Sequence, residues 1–237
     1  MMRSHMALTA ELVARCERNE LDPGPTPGVT RLTEENYEAV ANALLKRRGP
    51  GPLWVFIYGS LMWKPAFTSL EHRRATAFGW HRAFCLELKR GRGSPNLPGL
   101  MMALEHGGRC EGIVHRLPDE DHFSQLSRLL HREIGSMEGA RATRWITVET
   151  KKGKLQALTF WAGPRGRAYA GKQPLPQVAQ TLRACGHIGS GAAYLFHTVS
   201  KLEEVGIRDR NLWQLQQLVA DEIQRAATRG GAPCQVV

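Results

Sequence analysis

An α+β fold follows from three features of this sequence. The stretch 53–60, "LWVFIYGS", is a continuous apolar run, as a strand buried on both faces requires. Two longer stretches, 99–118 and 144–163, each read as a pair of strands around a turn, "HGG" in the first and "KKGK" in the second. Helical periodicity recurs between and after these strands. Hairpins in series predict an antiparallel or mixed sheet, either open or closed into a barrel.

Taken in chain order, residues 7–20 predict a short first helix. The segment "LDPGPTPGVTRL" (21–32) is rich in proline and glycine and reads as a linker. A second helix over 34–48 carries Tyr37, Val40 and Leu44 at helical spacing and stops at "RGPGP". Residues 1–50 therefore form an accessory segment ahead of a main domain over 51–228. In that domain the apolar strand is followed by "ATAFGWHRAFCLEL" (75–88), which alternates loosely and is aromatic, and then by the two hairpins. Between the hairpins a helix is predicted from an N-cap at Asp119 to about Glu133, with acids in its first turn. A further helix at 174–186 sets Leu175, Val178 and Leu182 on one side before a glycine stop. The last, 208–226, aligns Leu212, Leu215, Val219 and Ile223 on one face, a stripe that suits core packing better than a partner groove. Residues 229–237 read as a flexible tail.

The totals exclude several classes. With 237 residues and 42% of them hydrophobic, the chain can bury a core. No stretch approaches the ~20 apolar residues that span a bilayer. The N-terminus shows no continuous apolar h-region, so no secretory signal is expected and a cytoplasmic location is. Five scattered cysteines with no CxxC pair fit thiols in a reducing compartment. Nine histidines lack the spacing of a metal site, and His115, His131 and His197 read as structural or surface residues. A net charge of +10 permits nucleic-acid binding, but the cations are dispersed and the runs at 46–48 and 72–74 carry no interleaved aromatics, which favours a solvated surface.

Two features could carry chemistry. The first is Tyr58-Gly59-Ser60-Leu61, where glycine and serine interrupt an apolar strand. Its backbone N–H groups could form a nest for an anion, or it is an ordinary turn. The second is Glu133. Phe123, Leu126 and Leu130 mark the apolar face of its helix, and Glu133 follows Leu130 by three residues and Leu126 by seven, on that same side. Desolvation there would raise its pKa toward the range of a general acid or base. The alternatives are a buried ion pair with Arg132 or Arg144, or a helix end turned outward.

The block from Trp54 to Leu218 resembles the ChaC-like γ-glutamylcyclotransferases, which degrade glutathione. The resemblance rests on motifs in order: "WVFIYGSLMWKPAF", "EHRR" (71–74), "GWHRAFCL" (79–86), "RGSPNLPGL" (92–100), "GGRCEGIVHRL" (107–117), "LLHRE" (129–133), "YAG" (169–171) and "HIGSGAAYLFHTVSKLEEVGIRD" (187–209). It implies a small mixed β-barrel surrounded by helices. It implies that Tyr58, Gly59, Ser60 and Leu61 cradle the γ-glutamyl group and that Glu133 is the catalytic glutamate. Tyr169 falls near the site, and Arg92, Gly93 and Ser94 border the cleft. No metal and no cofactor are implied, and the partner is a small molecule, glutathione or another γ-glutamyl compound, not nucleic acid or membrane. A non-catalytic regulator of cation transport is the alternative from a different class. Two positions depart from relatives: "GSMEGARATR" after Glu133 has no tyrosine, and "GSGAAYL" (189–195) has no asparagine.

Overall fold

The computed structural model describes residues 5–166 and 168–228. Two helices come first, α1 (Ala10–Ala14) and α2 (Glu34–Arg47). Strands β1 (Trp54–Ile57), β2 (Glu71–Leu88) and β3 (Gly99–Arg116) follow. Helices α3 (His122–Glu133) and α4 (Met137–Ala140) lead into the hairpin β4 (Thr143–Thr150) and β5 (Gly153–Phe160). The chain then forms α5 (Leu175–Thr181), the short strands β6 (Cys185–Gly186) and β7 (Gly189–Ser190), α6 (Gly191–Glu204) and α7 (Arg210–Thr228).

β1 to β5 close into a barrel in the order β1-β3-β2-β4-β5. β1 pairs with β3, β2 with β4 and β4 with β5 in antiparallel fashion, while β1 closes the ring on β5 in parallel, with Val55 opposite Leu158. The sheet is therefore mixed, and closure removes the edges that an open sheet would expose. Trp54 and Phe56 of β1 join Trp80, Leu104 and Ile146 in the barrel core. Val55 and Ile57 are buried too, so β1 is covered on both faces, as its unbroken apolar run requires.

The described residues fall into two compact units. The barrel unit takes Gly28–Ala83 and the described residues from Ala103 to Arg167. The helical unit takes the described residues up to Pro27, Phe84–Met102 and the described residues from Ala168 onward. In the barrel unit α2 lies against α3; in the helical unit α5 and α6 lie against α7, and α1 against both α6 and α7.

Several expected elements differ. The first helix spans only Ala10–Ala14, with Thr9 as its cap. Residues 99–116 make one strand rather than two: Gly107 and Gly108 have positive φ, yet the strand continues through them. The helix ending at Glu133 is capped by Asp121, whose side chain accepts from the Ser124 N–H, and not by Asp119. The helix predicted to 186 stops at Thr181, and Cys185–Gly186 is a strand. Helix α6 had no counterpart in the helical pattern; Ser190 starts it by accepting from the Ala193 N–H. The predicted tail, 229–237, lies outside the described residues.

Candidate active site

At the end of β1 the backbone leaves the barrel wall and makes a single 3₁₀ turn, Ser60–Met62. Tyr58 keeps the parity of Trp54 and Phe56, and its ring packs against the barrel core. Gly59 is buried, and Leu61 and Met62 anchor the turn from within. The turn's hydrogen bonds use the N–H groups of Met62, Trp63 and Lys64. The N–H groups of Ser60 and Leu61 stand ahead of these bonds, as the first donors of any helical turn do.

Arg82 holds this turn in register. Its side chain is 6% exposed, its Nε donates to the Tyr58 carbonyl at 2.8 Å, and its Nη2 donates to the Glu111 carbonyl. Its position was missed at the sequence level because the buried face of β2 changes parity. Ala75 and Ala77 are buried first, then Trp80, Arg82 and Phe84. The switch falls at Phe78-Gly79, where Gly79 has φ +80°. A side chain there would be strained, and the extra residue acts as a bulge. An arginine midway between Trp80 and Phe84 was the available signal.

Glu133 is the last residue of α3, on the face that buries Leu126, Leu129 and Leu130. Its side chain is 21% exposed, and Arg132 Nε lies 3.2 Å from Oε1. Among the described residues this ion pair is the one polar partner of its carboxylate. Burial pushes the Glu133 carboxyl above its ordinary value, and the Arg132 charge offsets that only in part. Arg144, the other partner considered for Glu133, instead sets its guanidinium over Trp80 and Trp161.

The helix end carrying Glu133 is pinned by α2. The buried Tyr37 donates its hydroxyl to the Ile134 carbonyl at 2.7 Å, and its ring stacks on His131 at 3.7 Å. His131 also lies 3.2 Å from Glu34. Tyr37 was legible only as an apolar-stripe residue; the partner of its hydroxyl required the fold.

The other sequence-predicted residues belong to the helical unit. Arg92 and Ser94 lie on the loop after β2. Arg92 Nη1 donates to the Ser190 carbonyl at 2.8 Å, and its guanidinium sits 5.4 Å from the centre of the Tyr194 ring. Burial lowers the Arg92 pKa. Ser94 closes its own turn, accepting from the Leu97 N–H at Oγ and donating its N–H to the Leu97 carbonyl. Gly93 is required there: a Cβ would lie 2.2 Å from the Gly99 nitrogen. Tyr169 runs alongside Leu86 at the end of β2, held by hydrogen bonds between Ala170 and Cys85 and between Glu87 and Ala168. The predicted residues thus form two sets, Tyr58–Leu61 with Glu133 in the barrel unit and Arg92, Ser94 and Tyr169 in the helical unit.

Comparison with known proteins agrees with this architecture. A family model described as ChaC-like protein matches residues 53–222. The glutathione-specific gamma-glutamylcyclotransferase of Escherichia coli is 35% identical over 204 residues, covering 84% of this chain and 87% of that protein. Glutathione-specific gamma-glutamylcyclotransferase 1 of rat is 31% identical over 163 residues, 66% of this chain and 72% of the rat protein. Among solved structures, a yeast gamma-glutamylcyclotransferase specific to glutathione superposes with a TM-score of 0.65 at 19% identity, covering 73% of this chain and 97% of the yeast one, a likeness of fold. The matched span contains the whole barrel, the strand-end turn, and the helix that ends in a desolvated glutamate; by that span and by the bacterial relative's coverage, the chain belongs to the ChaC-like family.

Proposed function

We infer that this protein is a γ-glutamylcyclotransferase that cleaves glutathione to 5-oxoproline and Cys-Gly. The observation that carries the reading is Glu133: a carboxyl at a helix end, largely desolvated, raised in pKa, with Arg132 as the one cation beside it among the described residues. Such a group has unused capacity for a substrate ammonium and an affinity for protons suited to passing one on.

The chemistry asks for little else. The α-amine of the γ-glutamyl residue attacks its own γ-carbonyl carbon; a C–N bond closes a five-membered lactam, and the C–N bond to cysteine breaks. Because nucleophile and electrophile share one molecule, the protein supplies geometry in place of a nucleophile. At neutral pH the amine is mostly ammonium, so Glu133 takes its proton and returns one to the departing nitrogen. The N–H groups of Ser60 and Leu61 are suited to hold a carboxylate or the carbonyl oxygen in the bent conformer that closes the ring. Arg92, Ser94 and Tyr169 are substrate-binding residues in this reading on the strength of the family resemblance of their motifs. The reaction uses no metal or cofactor, and the substrate is a small molecule. A thiol substrate of this kind persists in a reducing compartment such as the cytoplasm. Among the described residues no helix is long and apolar enough to cross a membrane.

The test is Glu133→Gln, assayed for 5-oxoproline release from glutathione. Turnover should fall about a hundredfold or more while the circular dichroism spectrum stays that of the wild type. Unchanged turnover removes Glu133 from the reaction. Parallel incubation with γ-glutamyl-alanine separates glutathione specificity from wider γ-glutamyl specificity, which the absent tyrosine after Glu133 keeps in view.

A further inference from the structure

Residues 8–22 lie outside the matched family span, yet they are bound into the helical unit at both ends. Leu8 and Cys16 are fully buried, and the Leu8 N–H donates to Gln216 Oε1 at 2.8 Å on α7. From this anchorage two carboxylates reach toward the segment Arg90-Gly91-Arg92. Asp22 grips Arg90 with both oxygens, at 2.6 Å to Nε and 2.5 Å to Nη2. Glu17 Oε1 accepts from the Ser190 hydroxyl at 2.7 Å and from the Ser190 N–H at 3.2 Å. Ser190 is fully buried, and its carbonyl is the acceptor for Arg92.

Glu17 and Arg92 flank the same point. A Cβ at Gly189, which has φ +111°, would lie 3.2 Å from Arg92 Nη1 and 3.3 Å from Glu17 Oε2. The loop has no room to shift toward β6 either: a Cβ on Gly186 would come within 2.4 Å of the Gly91 carbonyl and 2.5 Å of the Gly93 carbonyl. Ile188 donates its N–H to that Gly91 carbonyl at 3.0 Å. The loop is therefore fixed by backbone contact on one side and, from the N-terminal segment, by Asp22 directly at Arg90 and by Glu17 through Ser190, the acceptor for Arg92.

We propose that residues 8–22 are a strap that fixes the Arg90–Ser94 loop in its substrate-binding conformation, with Glu17 and Asp22 as positioning residues. The proposal rests on the cyclotransferase reading for the identity of the substrate. A charged fork on Arg90 holds the loop's start, and Glu17 holds Ser190, through which Arg92 is aimed. Loss of the strap should therefore weaken substrate binding and leave the proton transfer at Glu133 intact.

The experiment uses the full chain carrying Glu17→Gln with Asp22→Asn. Amide hydrogen exchange at 90–94 should accelerate about tenfold, and KM for glutathione should rise about tenfold with kcat within about twofold of wild type. A loop that exchanges at the wild-type rate overturns the proposal, as does faster exchange with KM unchanged, or a loss confined to kcat. If the double variant does not fold, Asp22→Asn alone, at a partly exposed pair, carries the same two readouts at smaller amplitude, and the same results support or overturn the strap. Should the wild type release no 5-oxoproline from glutathione or from γ-glutamyl-alanine, the cyclotransferase reading fails by itself, and the exchange at 90–94 still decides whether the strap holds the loop.

Discussion

At the start of β2, Glu71 lies in the fork of Arg73, with Nε 2.6 Å from one oxygen and Nη2 2.9 Å from the other, and Lys152 adds a contact at 3.2 Å. At the end of α3, Glu133 meets one arginine nitrogen at 3.2 Å. Both side chains are partly accessible, 32% for Glu71 and 21% for Glu133. Their acidities nonetheless move in opposite directions. Hydrogen bonds from Arg73 pull Glu71 down to about 2, whereas burial pushes Glu133 up. An adjacent arginine therefore does not define a salt bridge in the energetic sense. What counts is whether the donors match both carboxylate oxygens and outweigh the desolvation of the charge. Glu71 is satisfied by the protein. Glu133 is left with demand that a substrate ammonium can meet.

The largest test of this contrast is the acid limb of the wild-type rate. A base must be ionised to accept a proton, so kcat/KM should fall about tenfold per pH unit below the Glu133 pKa. Because that pKa is raised, the limb should begin above about 4.5, the ordinary value for glutamate. The measurement is kcat/KM for glutathione from about pH 4 to about pH 8, a window that spans the ordinary glutamate value and neutrality. A limb at or below the ordinary value would mean that the rate-controlling carboxyl is not the desolvated one.

A smaller effect concerns stability. A carboxyl with a raised folded pKa supports the fold fully below its unfolded pKa and loses that support as pH rises through the folded value. Ionised Glu133 is thus a burden at neutral pH that glutamine does not impose. Glu133→Gln should raise Tm by a few degrees at pH 7.5, with the gain shrinking toward zero near pH 4. A Tm that falls at pH 7.5 would show Glu133 to be a stabilising ion-pair partner of Arg132.

These tests bear on residues that were unevenly legible in the sequence. Glu133 was readable because helical spacing is a local rule: the apolar residues set the face, and the glutamate fell on it. The strand-end turn was readable because glycine and serine broke an apolar run. The long strand β3 was not, since Gly107-Gly108 is a hairpin signal that only the closed barrel overrides. Here the positive-φ glycines lie inside one strand that β2 flanks in the barrel, with His81 Nδ1 of β2 3.0 Å from the Gly107 carbonyl. Arg82 was hidden by the parity switch at Gly79, which cannot be seen without the partner strands. Tyr37 and Glu17 were hidden for another reason: their partners, Ile134 and Ser190, lie 97 and 173 residues away in the chain. Motifs record what a segment does alone; such contacts exist only once the chain has closed.

The smallest expected effect is also the control that gives the comparison its edge. Glu71→Gln removes the better-paired of the two carboxylates. If pairing marks a structural role, 5-oxoproline release should stay within about twofold of wild type and the acid limb should not move. Its stability signature should run opposite to that of Glu133→Gln. A depressed carboxyl contributes stability above its unfolded pKa and loses it as pH falls through the folded value. Glu71→Gln should therefore lower Tm by about 1–2 °C at pH 7.5, since the pair is accessible to solvent. That deficit should narrow only as pH drops from the ordinary glutamate range toward about 2. Paired melting curves of the two variants across pH read both signs in one experiment. Parallel curves would mean that the two glutamates share one electrostatic environment. A turnover loss in Glu71→Gln to match that of Glu133→Gln would move the chemistry to the start of β2.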